Sequence, residues 1–320
     1  MANLSNVRIV LVADQHRDLS ILVPLALLQA NTSQLGRAPY LTYVSYAIMG
    51  VHGHLSETPK GTPLSTSYDL QSATLYFVSE IEVYSIADRF GIVPRGSQRT
   101  LTSANERSPI FLHALTERDL LCITTGGPSN CCNLVALAAG SDYITKTCRA
   151  CRTHPGEEPL TDINDVRNGI LLNGDGHQEL RKRLFLIRTP NLYLTSADIH
   201  RDISDPARVD RLPSAQFTFH WLELPIRVVI DPTSPRPENT TDRIPNGRIA
   251  YFYGEVTNDN CPASAVLDFV FGCGFLHLFG TSDMLKFTKD FAGKEYGTIK
   301  QTVIEAQEAK QDQKQKASIE

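Results

Sequence analysis

The chain lacks an apolar run long enough for a membrane span: its most apolar stretch, Ala263 to Gly280, is short and contains Asp268 and His277. It also lacks a basic surplus. With 31 Lys and Arg against 35 Asp and Glu, the formal net charge is -4, so any contact with nucleic acid has to be local. The seven cysteines show none of the regular spacing of a disulfide framework. Ahead of the first apolar stretch, Ile21 to Ala30, stand Asp14, His16, Arg17 and Asp18 rather than the basic residues of an export signal. Together these absences argue against a membrane protein or a secreted disulfide scaffold. They predict an intracellular protein of cytoplasm or nucleus with no membrane partner.

What is present is an ordinary globular composition, with 42% apolar and 21% charged residues in 320, enough for one or two domains. Residues 1–108 alternate β-rich runs (Val7 to Ala13, Tyr40 to Met49, Thr74 to Val78) with turn signals at Thr58 to Pro63 and Pro94 to Gly96. They read as a mainly β region. The run Leu19 to Gln29, broken by Pro24, fits either a short helix or two strands. Residues 109–210 form a central module that ends in a connector at Pro206 to Pro213.

Residues 211–293 read as a strand-helix unit packed on that module. Its strands are Phe217 to Ile230 and Arg248 to Val256, its helix is Ala263 to Phe279, and Ser282 caps a second helix. The tail, 294–320, has almost no apolar residue after Ile304 and is expected to be polar, frayed helix or disorder. The fold class expected from this order is α+β.

The chemistry concentrates in the central module. Asn168-Gly169 starts a short apolar strand that runs to Asn173, and Gly174-Asp175-Gly176-His177 follows, with His177 opening a helix expected to reach Leu184. Leu121 to Gly126, Ser141 to Ile144, Asp162 to Asn173, Thr189 to Asn191 and Ala197 to Ile199 follow one another in a set order. In that order they resemble the HNH endonuclease domains, ββα-metal modules abundant in basidiomycete fungi. The resemblance covers about 80 residues. It implies a hairpin pinned by Asn168 with Gly169, its partner strand coming from Cys122 to Thr125 or from Leu134 to Ala138. It also implies a divalent metal held in part by His177, and a nucleic-acid partner.

The chain departs from that pattern where the family carries its general base. Cys132 to Gly140 contains neither the expected histidine nor the proline, and Ala136 or a neighbour occupies the base position. A positioned base is typically worth about 10²–10⁴-fold in rate. The expectation is therefore a degenerate HNH-like protein with weak or no cleavage of nucleic acid. The alternative is an active metal-dependent endonuclease whose base is displaced to His113, His154 or His200. Asp142 and Asp175 could assist a metal, but ordinary carboxylates are weak bases at neutral pH.

Two further features carry alternatives. Cys148 and Cys151 form a CxxC pair with Cys122, Cys131, Cys132 and His154 nearby; this allows a structural zinc, although unpaired thiols fit the pattern better. Arg181-Lys182-Arg183 is the densest basic cluster and reads more readily as a solvated helix face than as a phosphate site.

Overall fold

In the computed structural model the residues described are 6–14, 17–31, 37–65, 68, 70, 74–79, 108–150, 157–188, 217–222, 248–257 and 259–288. The elements in chain order are β1 (Asn6–Asp14), β2 (Arg17–Pro24), α1 (Leu25–Asn31), α2 (Arg37–Met49), β3 (Gly53–Ser56), β4 (Thr74–Ser79) and α3 (Pro109–Asp119). They continue with β5 (Asn130–Asn133), α4 (Ser141–Ala150), β6 (Gly169–Leu172), α5 (Gly174–Glu179), β7 (Leu184–Arg188), β8 (Phe217–Trp221), β9 (Arg248–Ile249) and α6 (Ser264–Phe279). Residues 282–288 are also helical. The class is α+β, with a four-stranded sheet β2-β1-β4-β3, a two-stranded hairpin β5-β6 and a three-stranded sheet β7-β8-β9.

Two large cores share one wall. The first gathers β1, β2, β4 and α2 around Ile9, Ile21, Tyr40, Val44 and Leu75; the second gathers the hairpin and α4 around Cys132, Ile144, Ile170 and Leu172. Strand β7 alternates between them, Phe185 and Ile187 facing the first core and Leu184 and Leu186 the second. Helix α6 does the same along its length: Val266 and Leu267 enter the second core, Phe271 and Phe275 the first. A helix apolar on all sides must be enclosed on all sides. The first core therefore draws on residues beyond 108 and beyond 211.

Several expectations are corrected. Tyr40 to Met49 is helix α2, not strand; the helix is enclosed along almost its whole length, so neither a twofold nor a 3.6-residue period shows through. Gly50 marks its end, where a φ of 69° and an N–H donated to Tyr46 O at 2.6 Å make a helix stop. Leu19 to Gln29 is strand as far as Pro24 and helix beyond it, so neither alternative stands alone. The strand expected over Arg248 to Val256 is shorter, Arg248–Ile249, because residues 251–254 turn to bond other segments; β8 runs Phe217–Trp221, and the rest of its expected span, 223–230, lies outside the described residues. Thr281 rather than Ser282 caps the last helix: its carbonyl accepts from Leu285 N at 2.9 Å, and its hydroxyl from Met284 N at 3.5 Å. Pro94 to Gly96, the connector 206–213 and the tail 294–320 lie outside the described residues.

His220 of β8 stands opposite Phe185 and is enclosed; its Nε2 lies 3.0 Å from Thr218 Oγ1, and its Nδ1 has no hydrogen-bond partner among the described residues. Burial pushes its pKa down to about 4 from an ordinary 6.5. The unfolded chain thus binds a proton that the folded one refuses. The stability His220 contributes is whole above about pH 6.5 and is lost as the pH falls toward 4, by roughly 3 kcal/mol. Urea midpoints measured from neutral to acid pH should fall over that window in the native chain and flatten in His220→Gln; equal slopes would remove His220 as the cause.

Candidate functional site

The site is the β5-β6 hairpin with its flanking helices. The strands are antiparallel, with Asn130 opposite Leu172, Cys132 opposite Ile170 and Asn133 opposite Gly169. The partner strand is thus Asn130–Asn133, lying between the two segments expected for it. Cys131 and Leu171 face α3, where Phe111 and Leu115 pack on them, whereas Cys132, Ile170 and Leu172 face the second core. Gly169 is required by this packing: a Cβ there would lie 2.6 Å from Phe111 Cζ.

Asn168 holds the loop end of the hairpin, beside the Asn133–Gly169 pair. Its side chain is fully enclosed; Oδ1 accepts from Val135 N at 2.8 Å, and Nδ2 donates to Val135 O at 3.1 Å and to Ile163 O at 2.9 Å. Leu134 N donates to Asn168 O at 2.7 Å. The turn before it is fixed by Asp165, whose carboxylate accepts from Arg167 N at 2.9 Å and pairs with the Arg167 guanidinium. The backbone clamped is that of Val135. Ala136 comes next, half-buried, and opens the turn Leu137–Ala139. From Leu134 to Gly140 no side chain can take a proton.

His177 lies on α5, half-buried. The helix begins because Asn173 Oδ1 accepts from Gly176 N at 2.9 Å. It ends at Glu179 rather than near Leu184, because Arg181 takes a φ of 69° and its N–H reaches Leu184 O at 3.0 Å. The start of α5 is also tied to Cys122, whose Sγ accepts from Asn173 N at 3.2 Å and lies 3.0 Å from Thr124 Oγ1. Burial raises the Cys122 thiol pKa, but hydrogen bonds from Thr124 and Thr125 outweigh it and the net shift is downward.

The remaining sequence candidates that lie among the described residues form no ligating cluster at the hairpin. His113 is solvent-exposed on α3 and pairs with Glu117 at 3.2 Å. His154 and His200 lie outside the described residues. Asp142 and Asp175 are exposed in the first turns of α4 and α5. Cys148 is enclosed in the second core with Cys132 and Cys261, and Cys151 lies outside the described residues. Among the described residues no group of three or more His, Cys, Asp or Glu could hold a metal ion. Lys182 and Arg183 are exposed beyond α5, Arg183 facing Glu179 at 3.7 Å.

Sequence reasoning missed the most enclosed charges near the hairpin, Arg118 and Asp119 at the end of α3. Arg118 Nε and Nη2 donate to the two Asp119 oxygens at 2.5 and 3.1 Å. The guanidinium also donates to Gly169 O at 2.7 Å, Asn260 O at 2.7 Å and Val166 O at 3.2 Å. Asp119 accepts from Leu171 N at 2.7 Å. Burial pushes the Asp119 carboxyl up, against the pull of the guanidinium and the Leu171 N–H. Adjacent residues of opposite charge normally leave a helix in different directions, so the pair carried no signal of being buried together.

No family model, curated protein or solved structure matches the chain.

Proposed function

We propose that this is a degenerate HNH-like ββα protein with weak or no cleavage of nucleic acid. One observation carries the reading: the Asn168 side chain clamps the hairpin at Val135, and the residues there, Val135 and Ala136, offer no group to take a proton from water. The second part of the pattern, strand β6 followed by a helix bearing His177 nine residues after Asn168, supports the same reading.

A divalent metal is implied by the resemblance, with His177 as one ligand. A single imidazole does not make a metal site, and no cluster of ligating side chains forms around it among the described residues. No step is therefore routed through the metal. Nucleic acid remains a partner within this reading, through local contacts only. Cytoplasm or nucleus is the compartment it favours, supported by Cys122, Cys131, Cys132, Cys148, Cys261 and Cys273, which stand as thiols rather than disulfides. Among the described residues no helix is long and apolar enough to cross a membrane.

The test is a plasmid-nicking assay with Mg²⁺, Mn²⁺, Ni²⁺ and Zn²⁺. Nicking by the native chain is expected to be no faster than by His177→Ala. Robust nicking that disappears in His177→Ala would overturn the proposal in favour of an active endonuclease with a displaced base. His113→Ala, His154→Ala and His200→Ala would then show which histidine serves.

A further inference from the structure

Two Asn-Gly steps frame strand β6: Asn168-Gly169 opens it and Asn173-Gly174 follows it. A third, Asn246-Gly247, lies outside the described residues. Such a step is a turn signal and also a reactive one. With no Cβ on the second residue, its backbone nitrogen can come within reach of the asparagine carboxamide. Reaction then depends on what holds the two groups, and the two steps are held in opposite ways.

At Asn168-Gly169 both groups are locked. The enclosed carboxamide makes its three hydrogen bonds, and the Gly169 N–H is donated to Val166 O. Gly169 is itself buried against Phe111, so attack there requires the hairpin to open. Asn173-Gly174 faces solvent. Asn173 is half-buried, Gly174 and Asp175 are exposed, and a Cβ on Gly174 would meet nothing within 4 Å. Gly174 is the first residue of α5, so its N–H has no acceptor within the helix. Among the described residues the Asn173 carboxamide is held by the cap alone, Oδ1 accepting from Gly176 N at 2.9 Å. Bringing it to the Gly174 nitrogen disturbs only that cap and the first turn of a six-residue helix.

We propose that Asn173-Gly174 is a site of spontaneous covalent modification in the folded protein, deamidation through a cyclic imide. The Gly174 nitrogen gives up its proton to solvent base and forms a bond to Asn173 Cγ. The Cγ–Nδ2 bond breaks, and Nδ2 leaves as ammonia with a proton taken from water. A solvent water then opens the imide, at Cγ to give aspartate or at the Asn173 backbone carbonyl carbon to give isoaspartate. The net exchange is carboxamide and water for carboxylate and ammonium. The link altered joins β6 to the helix bearing His177. Aspartate can keep the cap, and its charge suits a helix N-terminus. Isoaspartate adds a carbon to the main chain between Asn173 and Gly174 and so displaces the cap. The inference does not depend on the nuclease-like reading of the hairpin.

The experiment incubates the full folded chain in mildly alkaline buffer, beside the same chain unfolded in guanidinium. Peptide mass spectrometry then separates asparagine, aspartate and isoaspartate at residues 168 and 173. In the unfolded chain both steps should convert at similar rates. Folding should slow residue 173 by no more than about thirtyfold, the worth of a helix cap, and residue 168 by more than about a hundredfold, because three buried hydrogen bonds must break first. Gly174→Ala should slow conversion at residue 173 by at least about tenfold without lowering the denaturation midpoint, since the added Cβ fits the open space but obstructs the attack. The proposal is overturned if folding slows residue 173 as much as residue 168, because modification would then pass through the unfolded chain. It is equally overturned if residue 173 keeps its amide throughout, or if Gly174→Ala converts as fast as the native chain.

Discussion

Asp119→Ala is expected to cost about 3–5 kcal/mol of folding stability, a large share of the roughly 5–15 kcal/mol of an ordinary domain. The carboxylate and the Arg118 guanidinium are both fully enclosed, and the pair is held at 2.5 Å. Removing one partner leaves a buried cation without its counterion and also strands Leu171 N, whose acceptor is Asp119. Replacing both charges by apolar residues is often harmless elsewhere. Here Arg118 also serves the Gly169, Asn260 and Val166 carbonyls, so combining Arg118→Met with Asp119→Leu would leave those three acceptors and the Leu171 N–H unpaired. The double variant should therefore be no more stable than Asp119→Ala. Guanidinium unfolding followed by circular dichroism measures this; a single variant within about 1 kcal/mol of the native chain would show that the pair is dispensable.

That hub also shows where sequence reading stops. The arrangement from Asn168 to His177 was legible because its determinants are local: an Asn-Gly step, a short apolar run, and Asn173 capping Gly176 three residues on. Arg118 reaches Gly169 across 51 residues and Asn260 across 142, and no periodicity encodes such a bond. The partner strand was misplaced for a related reason. Asn130-Cys131-Cys132-Asn133 is neither alternating nor strongly β-forming, and only its pairing with residues 169–172 makes it a strand. Helix α2 was misread because an enclosed helix and an enclosed strand present the same unbroken apolar text. Nor did the sequence expose the shared wall: Phe185 and Leu186 are simply neighbouring apolar residues until the second side of β7 is seen to be covered.

Asn168→Ala is expected to lose about 3–5 kcal/mol, because three buried hydrogen bonds go at once and leave Val135 N, Val135 O and Ile163 O unpaired. Asn168→Asp should not rescue it: one acceptor survives, but the two bonds Nδ2 donates are lost and a carboxylate is placed beside two carbonyls. His177→Ala should stay within about 1 kcal/mol of the native chain, since the imidazole is only half-buried on a short surface helix. The contrast separates two roles that the resemblance groups together, a residue that builds the hairpin and one that could only act on something bound to it. Hydrogen exchange at the Val135 amide provides the local readout. It should be slow in the native chain and in His177→Ala, and fast in Asn168→Ala even under conditions where the variant remains folded. Native-like protection of Val135 in Asn168→Ala would mean that the hairpin end is held by something other than the asparagine.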